Sequence, residues 1–250
     1  MIIQAINDAW KEVYYQLGRN DKRPLNDDDF LRAHWIMYFK YSRKRGNDYI
    51  KFLLDEQFTP KNIHKKVEKE VVLEIPEEQR TEFEIDDLEI ENGEEETKTV
   101  ITSVLAPTEI KKNVQSLKSS AVHWFNTHYP FLSTELNTDE KEYIDKLNRI
   151  GMGYFRPLVM VILKNEKDQN KRAMVLKKIE RYIFICFKLS QARRNYGDSE
   201  FYNAARDYDK GYLDIDGIVR KLSAREDFSF YEDGTFVTKY FRDYLIQKIP

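Results

Sequence analysis

Apolar residues recur along most of this chain at the spacing of an α-helix. Between residues 2 and 17, Ile2, Ile3, Ile6, Trp10, Val13, Tyr14 and Leu17 make one stripe, which predicts an amphipathic helix ended by Gly18. Asp27 or Asp28 is placed to cap a second helix, DDFLRAHWIMYFKYSRKR, whose apolar positions cover most of its circumference. Such a helix belongs at the centre of a fold. Gly46 breaks the chain, and Asn47 to Phe58 reads as a third helix with Tyr49, Ile50, Leu53 and Leu54 inward. Thr59-Pro60 is a cap followed by a first-turn proline.

The helical pattern lapses at 65–100 and then resumes. Pro107 opens a helix to 128 with Ile110, Val114, Leu117, Ala121 and Phe125 on one face. Thr138 begins another, which runs to Ile150. GMGYFRP interrupts the pattern, and Pro157 starts PLVMVILKN. A long helix over 169–190 turns Ala173, Leu176, Ile179, Ile183 and Phe187 inward. Asp198 or Ser199 caps SEFYNAARDY, and Asp214 or Asp216 caps DGIVRKLSA. The tail TFVTKYFRDYLIQK aligns Phe236, Tyr240, Tyr244 and Leu245 in a last helix. The expected fold is mainly α, a bundle of about nine helices. Residues 1–64 and 101–250 form one helical domain, or two subdomains dividing near 130–153, and 65–100 is an insertion.

That insertion differs in charge as well as pattern. The 250 residues carry a net charge of −2. Residues 65–100 hold 14 acidic and 5 basic side chains, while the rest hold 29 acidic and 36 basic. A mildly basic body is therefore joined to a strongly acidic segment, and mild basicity suits a polyanionic partner. VVLEI has the composition of a strand, and FEIDDLEIE around Asn92-Gly93 is compatible with a small hairpin. A solvated hairpin and a disordered excursion fit this segment equally well, with a partner-binding arm as a third reading. Aromatic residues at 14% exclude global disorder. No apolar run approaches the roughly 18 residues of a membrane span, and the charged N-terminus is not a signal peptide. The expected compartment is the cytoplasm, with no membrane partner.

Candidate chemistry is sparse. Cys186 is the lone cysteine and lies in the apolar run IERYIFICFKL, as a core residue would. His34, His64, His123 and His128 fit neither HExxH nor a zinc pattern, and His34 in AHWIMYF reads as a hydrogen-bonded core histidine. GxxxxGK[ST], GxGxxG and GxSxG do not occur, so no catalytic, cofactor or metal residue is assigned. Two basic runs stand out, Arg43-Lys44-Arg45 and Arg193-Arg194, each beside a tyrosine, Tyr41 or Tyr196. Cations near a tyrosine suit phosphates and an unpaired base, although cations are also favoured at helix C-termini. Arg156 and Lys164 join the expected DNA-backbone contacts if folding brings them to the same face.

Four stretches together resemble a known family: DDDFLRAHWIMYFKYSRKRGNDYIKFLLDEQFTPKNI, GYFRPLVMVILK, IERYIFICFKLSQARRNYGDSEFYNAARDY and FYEDGTFVTKYFRDYL. They are similar to the helical middle region of the GmrSD-type modification-dependent restriction endonucleases. That resemblance implies an N-terminal ParB-like domain with a DGQQR motif and a C-terminal HNH nuclease. Nucleotide and a divalent metal would be needed only by those flanking domains, and neither motif occurs in this sequence. It therefore implies a fragment, working as a non-catalytic linker or accessory module of a DNA-targeting defence nuclease. The flanking ParB-like and HNH domains, and DNA, would be its partners. The alternative is a helical protein–protein scaffold that touches no nucleic acid.

Overall fold

Apolar stripes become helices at nearly every expected place. The structure, a computed structural model, describes residues 2–72, 97–103, 105–189 and 194–226. Its long helices are α1 (Ile2–Gly18), α2 (Asp27–Tyr38), α6 (Pro107–His128), α7 (Thr138–Ile150), α8 (Arg156–Asn165), α9 (Gln169–Ile183), α10 (Asp198–Asp209) and α11 (Ile215–Glu226). Shorter ones are α3 (Arg43–Asn47), α4 (Tyr49–Lys51) and α5 (Pro60–His64). The fold is mainly α, a multi-helix bundle. No described helix is long and apolar enough to cross a membrane. The tail helix expected after residue 234 and the Asn92-Gly93 hairpin lie outside the described residues.

Unbroken apolar sequence puts α8 at the centre. Pro157 through Leu163 are all buried, which a surface helix with one stripe cannot achieve. Around it pack α2, α9 and α10, while α7 and α11 pack on α9. As expected, α2 is also central, burying Phe30 and every residue from Ala33 to Met37. Rings fill the space between α9, α10 and the start of α8. Phe155 lies 4.7 Å from Phe201 and 5.2 Å from Tyr182, ring centre to ring centre. Cys186 is fully buried, as its apolar run implied.

Helix ends follow side-chain chemistry, sometimes one residue from the expected place. The cap of α2 is Asn26, which accepts from Asp29 N–H at 3.0 Å, and not Asp27 or Asp28. As expected, α7 runs from Thr138 to Ile150; Asn137 caps it in a reciprocal capping box with Glu140. Gly197 precedes α10 in a left-handed conformation at φ 79, so Asp198 is its first residue and not its cap. Thr59 and Asp214 do cap, accepting from Asn62 N–H at 3.2 Å and from Gly217 N–H at 2.7 Å.

Three expectations are corrected. The second helix does not run on to Arg45. Phe39 is extended at ψ 158, and Ser42 begins α3 as a new cap. On α1 the buried face is Ala9, Val13, Gln16 and Leu17, leaving Ile3, Trp10 and Tyr14 outside. Its apolar set is wider than one buried stripe. Beyond α4 the turns widen to π-helix at Phe52–Gln57. Phe52 is buried there, while Ile50 and Leu54, which the regular spacing placed inside, are exposed. A second π segment, Phe184–Leu189, continues α9.

The chain divides into two compact units, cut at Tyr49/Ile50 and Ile110/Lys111. The unit over Ile50–Ile110 is wider than the acidic insertion marked out by composition. It contains a strand pair, β1 (Lys66–Val72) antiparallel to β2 (Thr97–Ser103), in a register matching Lys66 with Ser103 and Val72 with Thr97. The VVLEI strand is thus present in part, starting earlier in the sequence and pairing with residues beyond the acidic run. The basic runs, by contrast, both belong to the other unit.

Candidate functional site

Folding brings Arg43 of the first basic run to the start of α10. Arg43 opens α3, where the Ser42 hydroxyl accepts from Arg45 N–H at 3.4 Å. Arg194 lies in the turn leading into α10 and is exposed, as are Lys44 and Arg45. Arg193 lies outside the described residues. The link is Asp198 in the first turn of α10, whose Oδ1 is 3.8 Å from Arg43 Nη2. Tyr41 then lies against Tyr202 of α10, with ring centres 4.7 Å apart, and against Trp35 of α2 at 6.0 Å. Burial raises the Tyr41 phenol and pushes Tyr202 up to about 12, so both stay protonated hydrogen-bond donors at neutral pH.

Arg156 and Lys164 do not join this surface. Arg156 Nη1 donates to Thr127 O at 2.8 Å, and Nη2 donates to Asn148 Oδ1 at 3.0 Å. Asn148 Nδ2 donates to Thr127 O at 3.0 Å as well. The carbonyls at the end of α6, which no further turn can satisfy, are therefore met by a cation and an amide. Burial lowers Arg156 to about 10, so it remains charged as it does this. Lys164 Nζ is 2.9 Å from Asp209 Oδ1, and both side chains are largely buried. The charge of each is engaged inside the fold.

A residue that pattern reading passed over takes their place. Arg32 is exposed on α2 and acts electrostatically on both Tyr41 and Tyr202. The available signal was its isolation as the sole cation in FLRAHWIMY. Arg32 also borders a cavity of about 310 Å³ that no motif or spacing foretold. Asp29, Arg32, Ala33 and Ile36 supply one wall, at i, i+3, i+4 and i+7 of a single helix face. Trp124 and His128, one turn apart on α6, supply another, and Tyr154, Arg156 and Tyr202 complete it. Gly153 at the lip has φ +53, where a side chain would be strained.

Two polar atoms of the wall are buried without a hydrogen-bond partner, Trp124 Nε1 and His128 Nε2. Unmet buried polar atoms are uncommon in folded proteins and call for a reason. Burial, helped by the Arg156 charge, lowers His128 to about 3, so its imidazole is neutral at physiological pH. The cavity is thus lined by aromatic rings, one carboxylate, two guanidinium groups and a neutral imidazole.

The other histidines do different work. His34 is buried on α2 with Nε2 3.0 Å from Ser116 Oγ, as expected of a core histidine. His123 Nδ1 lies 4.0 Å from Glu135. Among the described residues no three His, Cys, Asp or Glu side chains gather as a metal cage would need. No protein-family model, curated protein or solved structure matches the chain.

Proposed function

We propose that this chain is a helical accessory module of a DNA-targeting, GmrSD-type restriction endonuclease. In that setting it holds the ParB-like and HNH domains apart in the cytoplasm and touches the DNA backbone without catalysing cleavage. One observation carries the nucleic-acid part of this reading. Arg43 of one basic run pairs with Asp198, which follows Arg194 of the other run in the sequence, beside the tyrosine pair Tyr41 and Tyr202. Cations on one exposed surface neutralise phosphates without reading bases.

Duplex-DNA binding across a salt series tests it. Each neutralised phosphate adds about −0.9 to the slope of log K against log salt. Reversing Arg193 and Arg194 to Glu together should flatten that slope by about two such contributions, whereas Arg156→Met should leave it unchanged. No binding at low salt would overturn the reading. It would favour instead a protein scaffold, for which Ile3, Trp10 and Tyr14, exposed on α1, are the supporting observation. Genomic sequence encoding DGQQR upstream and an HNH pattern downstream would independently test the family assignment.

A further inference from the structure

The cavity beside Arg32 and the basic surface share two residues, since Arg32 and Tyr202 border both. We propose that this cavity receives one unpaired nucleobase while Arg32 and Arg43 hold the phosphates on either side of it. The proposal rests on the DNA-contact reading above and adds a ligand class to it.

The lining chemistry selects that class. A simple anion would meet Arg32 and Arg156 but be repelled by the Asp29 carboxylate. An apolar ligand would strip water from the Asp29 carboxylate without replacing it, which is costly. A flat heterocycle has an apolar face and an edge carrying both donors and acceptors. Its face suits the rings of Trp124, Tyr154 and Tyr202, and base–aromatic stacking tolerates any sequence. Its edge, through an exocyclic amine or ring N–H, suits the acceptor at Asp29 on the cavity wall. At about 310 Å³ the space is at the small end of ligand pockets, a size for one base and not for an extended substrate. In a strand, the base's own phosphates would then lie toward Arg32, which is exposed on the cavity rim.

The test compares two five-nucleotide single strands of equal charge, one with all its bases and one wholly abasic, titrated against the full chain by fluorescence anisotropy. The strand with bases should bind at least about fivefold tighter, the low end of what one stacked base contributes. Tyr202→Leu should erase that difference in a chain whose far-UV circular dichroism spectrum still matches the parent. Arg32→Gln, an exposed change that does not threaten the fold, should weaken both strands. It should also reduce the salt slope by about one phosphate contact. Equal binding of the two strands with a normal salt slope overturns the cavity proposal while the backbone reading stands. No binding of either strand, or of duplex, overturns both. A free deoxynucleoside monophosphate binding as tightly as the intact strand, with the same loss in Tyr202→Leu, overturns the strand as the ligand's source.

Discussion

Breaking the pair between Glu140 and Arg172 should cost more stability than any surface charge change in this protein. Glu140 is fully buried in α7, and Arg172, in α9, is 12% exposed. The carboxylate accepts from Arg172 Nε and, at 2.9 Å, from Asn137 N–H. Arg172 Nη1 also donates to Glu166 O at 3.0 Å. Arg172→Met keeps the side-chain length and removes the charge. Glu140 is then a buried carboxylate with one backbone donor, and leaving a buried ion without its partner costs about 3–5 kcal/mol. For a chain of this size each kcal/mol lowers the melting temperature by about 2–4 °C, so the expected fall is about 6–20 °C. Adding Glu140→Gln discharges the orphan but keeps an acceptor for Asn137, and should recover at least half of the loss. Thermal circular dichroism at neutral pH measures both. A single-variant shift below about 2 °C, or a double variant less stable than the single, would refute the burial argument.

Other outcomes follow from the same geometry. Arg156→Met strips the charge from the end of α6 and should destabilise by about 1.5–3 kcal/mol, read from urea midpoints. Phe201→Ala opens a void among Tyr154, Phe155 and Tyr182 and should cost about 3–5 kcal/mol in the same assay. His34 is lowered from 6.5 to about 3 by burial and then by Lys164 and Lys210, so the unfolded chain binds a proton that the folded chain refuses. Its contribution to stability is intact above 6.5 and falls as the pH drops toward 3, at up to about 1.4 kcal/mol per pH unit. His34→Phe should therefore flatten the acid limb of stability against pH, and an unchanged limb would show that this imidazole does not titrate on unfolding.

The sequence reveals this fold where one period governs a long stretch, and hides it where tertiary contacts override the period. Leu158 to Leu163 is apolar on every side, so its central burial is legible from the residues alone. The stop at Phe39 is not, because YFKYSRKR continues in a helix-compatible composition and the interruption serves Tyr41, which packs on Trp35 and Tyr202. Widened turns at Phe52–Gln57 are equally hidden, since a π turn shifts which residues face inward without leaving a composition signature. At the site, the basic runs are visible in the sequence and the pairing of Arg43 with Asp198 is not. Nothing local to Arg43 names Asp198 as its neighbour. Arg156 and Lys164 show the converse, two cations whose partners Thr127, Asn148 and Asp209 lie too far along the chain to be anticipated.

The Arg43–Asp198 contact makes the protein its own competitor for any incoming anion. At 3.8 Å, with the arginine 69% exposed, such a pair is worth less than about 1 kcal/mol. A lone anion gains little by evicting Asp198, because it exchanges one weak contact for another. A polymer that presents several charges along a fixed spacing recovers that small loss many times over. On the proposed DNA-contact reading, the carboxylate would set a threshold of valency, quieting the surface toward salts and metabolites while leaving it open to a polyanion.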